Sequence, residues 1–228
     1  MNTIPPAATQ TSARLVLIAT DCWDQTNGIT TLYRAVIRSL DEQVRGRCRL
    51  LIVHPTDHAS DQSIGDGHRV IGMAPLFRFH LPQYPELVTG YVRQKDFRHL
   101  ESVYGNVDVV HIATQGLLGL SAMRYATRYR KACVGFYHTN WPAYVNEYLP
   151  SLISSRLKLN VAGAIARRWD RMIYGHCSVL IAHTDRSKQC LSSALKRNLR
   201  YASAFVDVRR FAAADAMPSG DRDAEPLG

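Results

Sequence analysis

No stretch of the 228 residues approaches the roughly 20 consecutive apolar residues that a membrane-spanning helix needs. The opening MNTIPPAATQTSAR has neither a basic start nor an apolar core, which excludes a secretory signal there; it reads as a flexible leader over residues 1–13. The five cysteines (22, 48, 133, 177 and 190) are odd in number, widely spread and free of any CxxC pair. That pattern argues against a disulfide framework or a structural zinc site and fits scattered reduced thiols in a cytoplasmic protein. There is no internal repeat. Acidic residues are outnumbered, 19 against 28 Lys and Arg, for a formal charge of +9. The cations are spread along the chain, continue from Arg93 onward and are densest between Arg156 and Arg210, without the block of interleaved aromatics that nucleic-acid binding asks for. A solvated basic face and an anionic partner remain equal readings of the charge alone.

With 46% hydrophobic and 21% charged residues the composition is that of an ordinary soluble domain, long enough to bury a core. Short apolar runs alternate with segments of helical period. Arg14–Thr20, Arg49–Val53, Asp108–Ala113, Ala132–Tyr137 and Val179–His183 read as strands, with His68–Met73 as a short additional one. The runs at 108–113 and 132–137 are too apolar for a half-exposed sheet and suit a parallel sheet covered on both faces. Ile29, Leu32, Tyr33, Val36, Ile37 and Leu40 recur as one helical face. Val92–Tyr104, Leu117–Arg130 and Ser151–Cys177 also read as helical, the last as two helices meeting near Gly163. A further helix to Leu195 is capped by Thr184 or Asp185. The proline-bearing Pro75–Pro85 reads as an irregular surface loop. After Phe211 the sequence AAADAMPSGDRDAEPLG has no period, and residues 212–228 read as a linker or tail. The strand–helix alternation predicts an α/β fold with a Rossmann-like, doubly wound, mostly parallel sheet over residues 14–211.

In such sheets ligands gather beyond the carboxyl ends of the strands. Three polar segments sit there. Asp21–Gly28 follows the first strand. Gly28 lets a backbone approach a phosphate, and the helix behind it offers unpaired N–H groups; a simple Asn27-Gly28 turn is the rival reading. The second is His111-Ile-Ala-Thr-Gln-Gly-Leu-Leu-Gly119, where His111 is either a base or hydroxyl partner, or a satisfied core histidine. The third, Tyr137-His-Thr-Asn-Trp-Pro-Ala-Tyr144, combines aromatic faces with amide and hydroxyl groups, as a sugar ring requires.

These segments, together with Pro75-Leu-Phe-Arg-Phe and the late Val206-Asp207-Val-Arg-Arg-Phe211, resemble the N-terminal domain of retaining glycosyltransferases of family four. The resemblance covers nearly the whole chain after the leader. It is closest to the branch that transfers mannosyl, glucosyl or sulfoquinovosyl groups to lipid or glycan acceptors. It implies the N-terminal, acceptor-side half of a two-domain GT-B enzyme that uses a nucleotide-sugar donor, without metal or other cofactor. Asn27 and Gly28 are then expected beside the donor diphosphate, and Tyr137, Thr139, Asn140, Trp141 and Tyr144 beside the acceptor.

Many members of the family carry a second histidine two residues after the one that matches His111; here that position is Ala113. The catalytic candidates are therefore His138 first and His111 second. The family's donor-clamping residues belong to a C-terminal domain beyond this sequence, so the chain alone is expected to be an inactive, truncated half. Arg156, Lys158, Arg167, Arg168 and Arg171, interspersed with apolar residues, read either as an ordinary basic helix packed on the domain or as a contact with an anionic surface at the inner membrane face. A non-catalytic carbohydrate- or partner-binding module on the same fold is the alternative reading.

Overall fold

A computed structural model describes residues 13–25, 27–43, 45–81, 84–138, 156–182, 184–195 and 200–203. Ten strands and five helices lie among the described residues. In chain order they are β1 (Arg14–Ala19), α1 (Gly28–Gln43), β2 (Cys48–Pro55), β3 (Ser60–Ile64), β4 (His68–Met73), β5 (Phe77–Leu81), β6 (Tyr84–Tyr91), α2 (Gln94–Tyr104), β7 (Val109–Ile112), α3 (Leu117–Arg128), β8 (Ala132–Tyr137), α4 (Arg156–Tyr174), β9 (Val179–Ala182), α5 (Asp185–Leu195) and β10 (Arg200–Ser203). The main sheet has eight strands in the order β10-β9-β8-β7-β1-β2-β4-β3, and only the edge strand β3 runs antiparallel to its neighbour.

The order explains both cores. From β1 the chain moves one way to β2 and β4, then returns and moves the other way through β7, β8, β9 and β10. Crossovers in parallel sheets are right-handed, so a reversal of direction sends the connecting helices to opposite faces. Ile18, Leu50, Ile52 and Phe136 accordingly pack with Tyr33 and Ile37 of α1. Leu17, Leu51, Val110 and Tyr137 pack on the other face with Phe97, Leu118, Tyr174 and Leu191 from α2, α3, α4 and α5. Alternation of side chains along each strand does the sorting. The near-continuous apolar runs are thus accounted for: both faces are covered.

Four expectations change. Pro75–Pro85 is no irregular loop: β5 pairs with β6 as an antiparallel hairpin outside the main sheet. Pro75 precedes β5, and Pro85, second in β6, falls in the irregular part of the ladder between the Leu81–Tyr84 and His80–Val88 pairs, where no ladder donor is lost. β3 was unreadable because SDQSI is almost wholly polar and exposed, as an edge strand can be. The short β10 follows an unpatterned stretch and was likewise not expected. Finally, α4 runs through Gly163 as a single helix of 19 residues. At α5, of the two candidate caps, Thr184 does the capping, its Oγ1 accepting from Ser187 N at 3.1 Å.

Candidate functional site

The direction of winding reverses between β1 and β7, so their carboxyl ends open a crevice: one chain leaves toward α1, the other toward α3. β1, β7 and β8 are consecutive neighbours in register, Ala19 beside Ile112 and Ile112 beside Gly135. The polar segments beginning near residues 21, 111 and 137 therefore leave the same rim of one sheet side by side.

Asp21 closes the floor of the crevice. Its backbone N–H donates to Thr114 Oγ1 at 2.9 Å, while Thr114 donates that hydroxyl to Asp21 Oδ2 at 2.6 Å. Thr89, at the end of β6, donates to Asp21 Oδ1 at 2.7 Å and accepts from Leu117 N at 2.6 Å, where α3 begins. Burial pushes the Asp21 carboxyl up, against the pull of these donors. The knot dictates two glycines. A Cβ on Gly116 would overlap the Asp21 carboxylate and the Thr89 hydroxyl, and one on Gly119 would overlap the Thr114 carbonyl oxygen.

Asn27 caps α1, its Oδ1 accepting from Thr30 N at 2.9 Å and its carbonyl from Thr31 N at 3.0 Å. Gly28 differs from the glycines of the knot: among the described residues nothing lies within 4 Å of where its Cβ would be, and it is exposed at the first turn of α1.

His111 lies on the α1 face, buried, with its Nε2 2.5 Å from Tyr33 Oη. Burial lowers its pKa to about 4 and holds the Tyr33 phenol well above its usual range. Tyr33 is thus the donor, and His111 a neutral acceptor already engaged. His138 is only half-buried and stacks on Phe136, ring centroids 3.7 Å apart, with Tyr33 edge-on at 6.3 Å. Beside β1 on the same rim, buried His54 pairs through Nδ1 with exposed Asp24 at 3.1 Å. Desolvation lowers the His54 pKa, opposed by Asp24.

Tyr137 points to the other face. Its hydroxyl donates to Asp170 Oδ2 at 3.2 Å, and its ring meets Tyr174 edge-on. The Tyr174 hydroxyl lies 3.0 Å from both Gln115 Oε1 and the Phe136 carbonyl oxygen, which share its one proton, while Trp169 Nε1 donates to the Gln115 carbonyl at 2.6 Å. Desolvation raises Asp170, 1% exposed on α4, to about 7, and its Oδ1 has no hydrogen-bond partner among the described residues.

Of the expected site residues, Asn27, Gly28, His111, Tyr137 and His138 thus share one rim, though Tyr137 and His138 straddle the sheet. Thr139, Asn140, Trp141 and Tyr144 lie outside the described residues. The sequence reading missed the Asp21–Thr89–Thr114 knot, because β6 was not expected, and it gave Tyr33 no role beyond its apolar period. Asp170 carried a legible signal: it is the lone acid between Glu147 and Asp185, in a basic helix.

Comparison with known proteins places this arrangement. Residues 26–210 match the profile of Glycosyltransferase Family 4. The GDP-mannose-dependent alpha-mannosyltransferase of Mycobacterium tuberculosis (strain CDC 1551 / Oshkosh) is 26% identical over 204 residues, covering 87% of this chain and 49% of that protein. The chain spans about half the length of the curated relative it matches. Among solved structures, a sucrose-phosphate synthase from Thermosynechococcus elongatus aligns at 11% identity and TM-score 0.48 over 89% of this chain and 94% of its own. LpCGTa in complex with UDP aligns at 12% and 0.46 over 96% and 61%. The fold assignment rests on the strand order rather than on these two. With most of its length matched by the family profile, the chain belongs to Glycosyltransferase Family 4.

Proposed function

We propose that this domain forms the acceptor-side wall of a retaining hexosyltransferase that moves a sugar, mannose being the first candidate, from a nucleotide-sugar donor to a lipid or glycan acceptor. The observation that carries the reading is the open Gly28 at the first turn of α1, on the same rim as half-buried His138. In the reaction the anomeric carbon–oxygen bond to the diphosphate breaks and the nucleoside diphosphate leaves with the electron pair. The acceptor oxygen bonds the anomeric carbon and gives up its proton to the departing diphosphate. The free N–H groups and partial positive charge of α1 favour a departing anion beside Gly28. His138 takes the place of a hydrogen-bond partner to the reacting sugar, and Asn27 fixes the helix end that faces the donor. His111 is assigned a positioning role: its low pKa and its engagement with Tyr33 make it a poor base at neutral pH. Tyr137 anchors the start of an acceptor-contacting segment that runs through Thr139, Asn140, Trp141 and Tyr144.

One wall cannot stabilise the leaving diphosphate alone, and electrostatic stabilisation supplies much of such catalysis. The 228-residue chain by itself is expected to give no turnover. Joined to the donor domain of a family-four mannosyltransferase and supplied with GDP-mannose and membrane extract, it is expected to transfer label. Gly28→Trp is expected to abolish that transfer, and His138→Ala to lower kcat about 10²-fold. Turnover by the chain alone, or a His138→Ala fusion as active as its parent, contradicts the assignment.

No described helix is long and apolar enough to cross a membrane. The exposed side of α4 carries Ile165 (63% exposed) and Met172 (36%) among exposed Arg167, Arg168 and Arg171. This supports peripheral attachment to an anionic bilayer, where a lipid acceptor resides. Sedimentation with anionic liposomes at low salt, lost at high salt and in Arg167→Glu/Arg171→Glu, is the expected result. Equal sedimentation with neutral liposomes rejects the attachment.

A further inference from the structure

Away from the rim, two thiols meet inside the core. Cys133, second residue of β8, and Cys177, in the turn that leads into β9, have their Sγ atoms 3.4 Å apart. Both are buried within the core beneath α3, α4 and α5. Their backbones are fixed relative to each other: Ser178 donates both its N–H (2.9 Å) and its hydroxyl (3.0 Å) to the Cys133 carbonyl. Packing also confines the Cys177 sulfur. Gly135, on the same face of β8 as Cys133, has that sulfur 3.0 Å from where a Cβ would stand, with Tyr174 and Leu180 closer still. The proposed transfer chemistry uses neither thiol. A disulfide needs sulfurs about 2.05 Å apart, on Cβ atoms about 3.5–4.5 Å apart, a closure of little more than 1 Å from the observed contact.

We propose that Cys133 and Cys177 are a latent disulfide, closed by hydrogen peroxide. Cys133, the slightly less buried of the two, is the one assigned to meet the peroxide. The Cys133 thiolate displaces hydroxide from the peroxide oxygen and becomes a sulfenic acid. The Cys177 sulfur then attacks the Cys133 sulfur, forming the S–S bond and expelling the second oxygen as water. Two thiols and one peroxide give one disulfide and two waters. The bond ties the start of β8 to the end of the α4 region. It thereby closes a loop that contains His138, the acceptor-contacting segment and the whole of α4, narrowing the unfolded ensemble.

The test is peptide mapping of the native 228-residue chain after mild peroxide treatment, denaturation and thiol alkylation. The expected product is a dithiothreitol-reversible peptide pair joining Cys133 to Cys177, with both absent from the alkylated pool. The pair persists in Cys48→Ser and is missing from Cys133→Ser. The cross-linked chain is expected to melt several degrees above the reduced one. Recovery of Cys133 and Cys177 as alkylated thiols, at a peroxide dose that has oxidised Cys48 and Cys190, overturns the proposal. So does a cross-linked chain that melts below the reduced one, since the bond would then require a distorted fold. The wild-type map alone decides the first point, whether or not a variant folds.

Discussion

The two faces of the sheet meet at the same rim and are built on opposite terms. On the α1 face, Gly28 is exposed with no described residue within 4 Å of a Cβ placed there, His138 is half-buried on Phe136, and His111 is a neutral imidazole held by Tyr33. On the other face, Asp21, Thr89 and Thr114 form a closed knot, and Tyr137, Tyr174, Gln115 and Trp169 a second network beside Asp170. One face presents an exposed helix start and a half-buried histidine at the rim; the other uses its hydroxyl and carboxylate groups to hold three strand ends together. A sugar site needs both, a rigid floor and an open wall.

The sharpest way to break the comparison is to add one methyl group to each side. Gly119→Ala forces a Cβ onto the Thr114 carbonyl, a backbone atom in the floor of the crevice, and is expected to destabilise the chain by about 3 kcal/mol or more. Gly28→Ala meets nothing and is expected to stay within about 0.5 kcal/mol of wild type. Urea midpoints of the two variants check this; equal losses would erase the distinction between floor and wall.

The faces also differ in the sign of their response to pH. Asp170 has a folded pKa raised to about 7 by burial, against about 4 when unfolded. Its contribution to stability is complete below about pH 4 and is lost as pH rises toward 7, by up to about 4 kcal/mol. Asp170→Asn is expected to remove that loss and make the chain relatively more stable at pH 8 than at pH 4.5, compared with wild type. His111 runs the other way. Its folded pKa of about 4 lies below the unfolded value of about 6.5, so its stability is complete above about 6.5 and fades as pH falls toward 4. His111→Phe is expected to flatten the acid limb only. Urea titrations from pH 4 to 8 separate the two, and a wild-type curve unchanged by Asp170→Asn denies the buried carboxyl its role.

Smaller effects refine the picture. Tyr33→Phe removes the donor to His111 Nε2 and is expected to cost about 1–2 kcal/mol by calorimetry. Asn27→Ala removes the α1 cap for about 1 kcal/mol, visible as loosened amide exchange at Thr30 and Thr31.

What the sequence showed followed from local pattern. Parallel strands announced themselves as apolar runs, α1 as a 3.6-residue period, and the rim as polar residues placed just after each run. What it hid depended on distant partners. Nothing near Thr89 says that its hydroxyl will hold Asp21, 68 positions earlier. SDQSI carries no apolar period because both its faces are wet, and Pro75 and Pro85 masked a hairpin by falling just before β5 and in the irregular part of its ladder. Tyr137 and His138 read as one motif in sequence; strand alternation alone sends them to opposite faces.

The most direct test follows deuterium exchange in the 228-residue chain titrated with a panel of α-mannosides and glucosides carrying short alkyl tails. The account predicts that a glycoside which raises the melting temperature slows exchange together in residues 21–28, 113–116 and 137–144. Protection of only one of these segments, of a surface elsewhere, or of none across the panel would contradict a shared sugar site at the β1–β7–β8 rim.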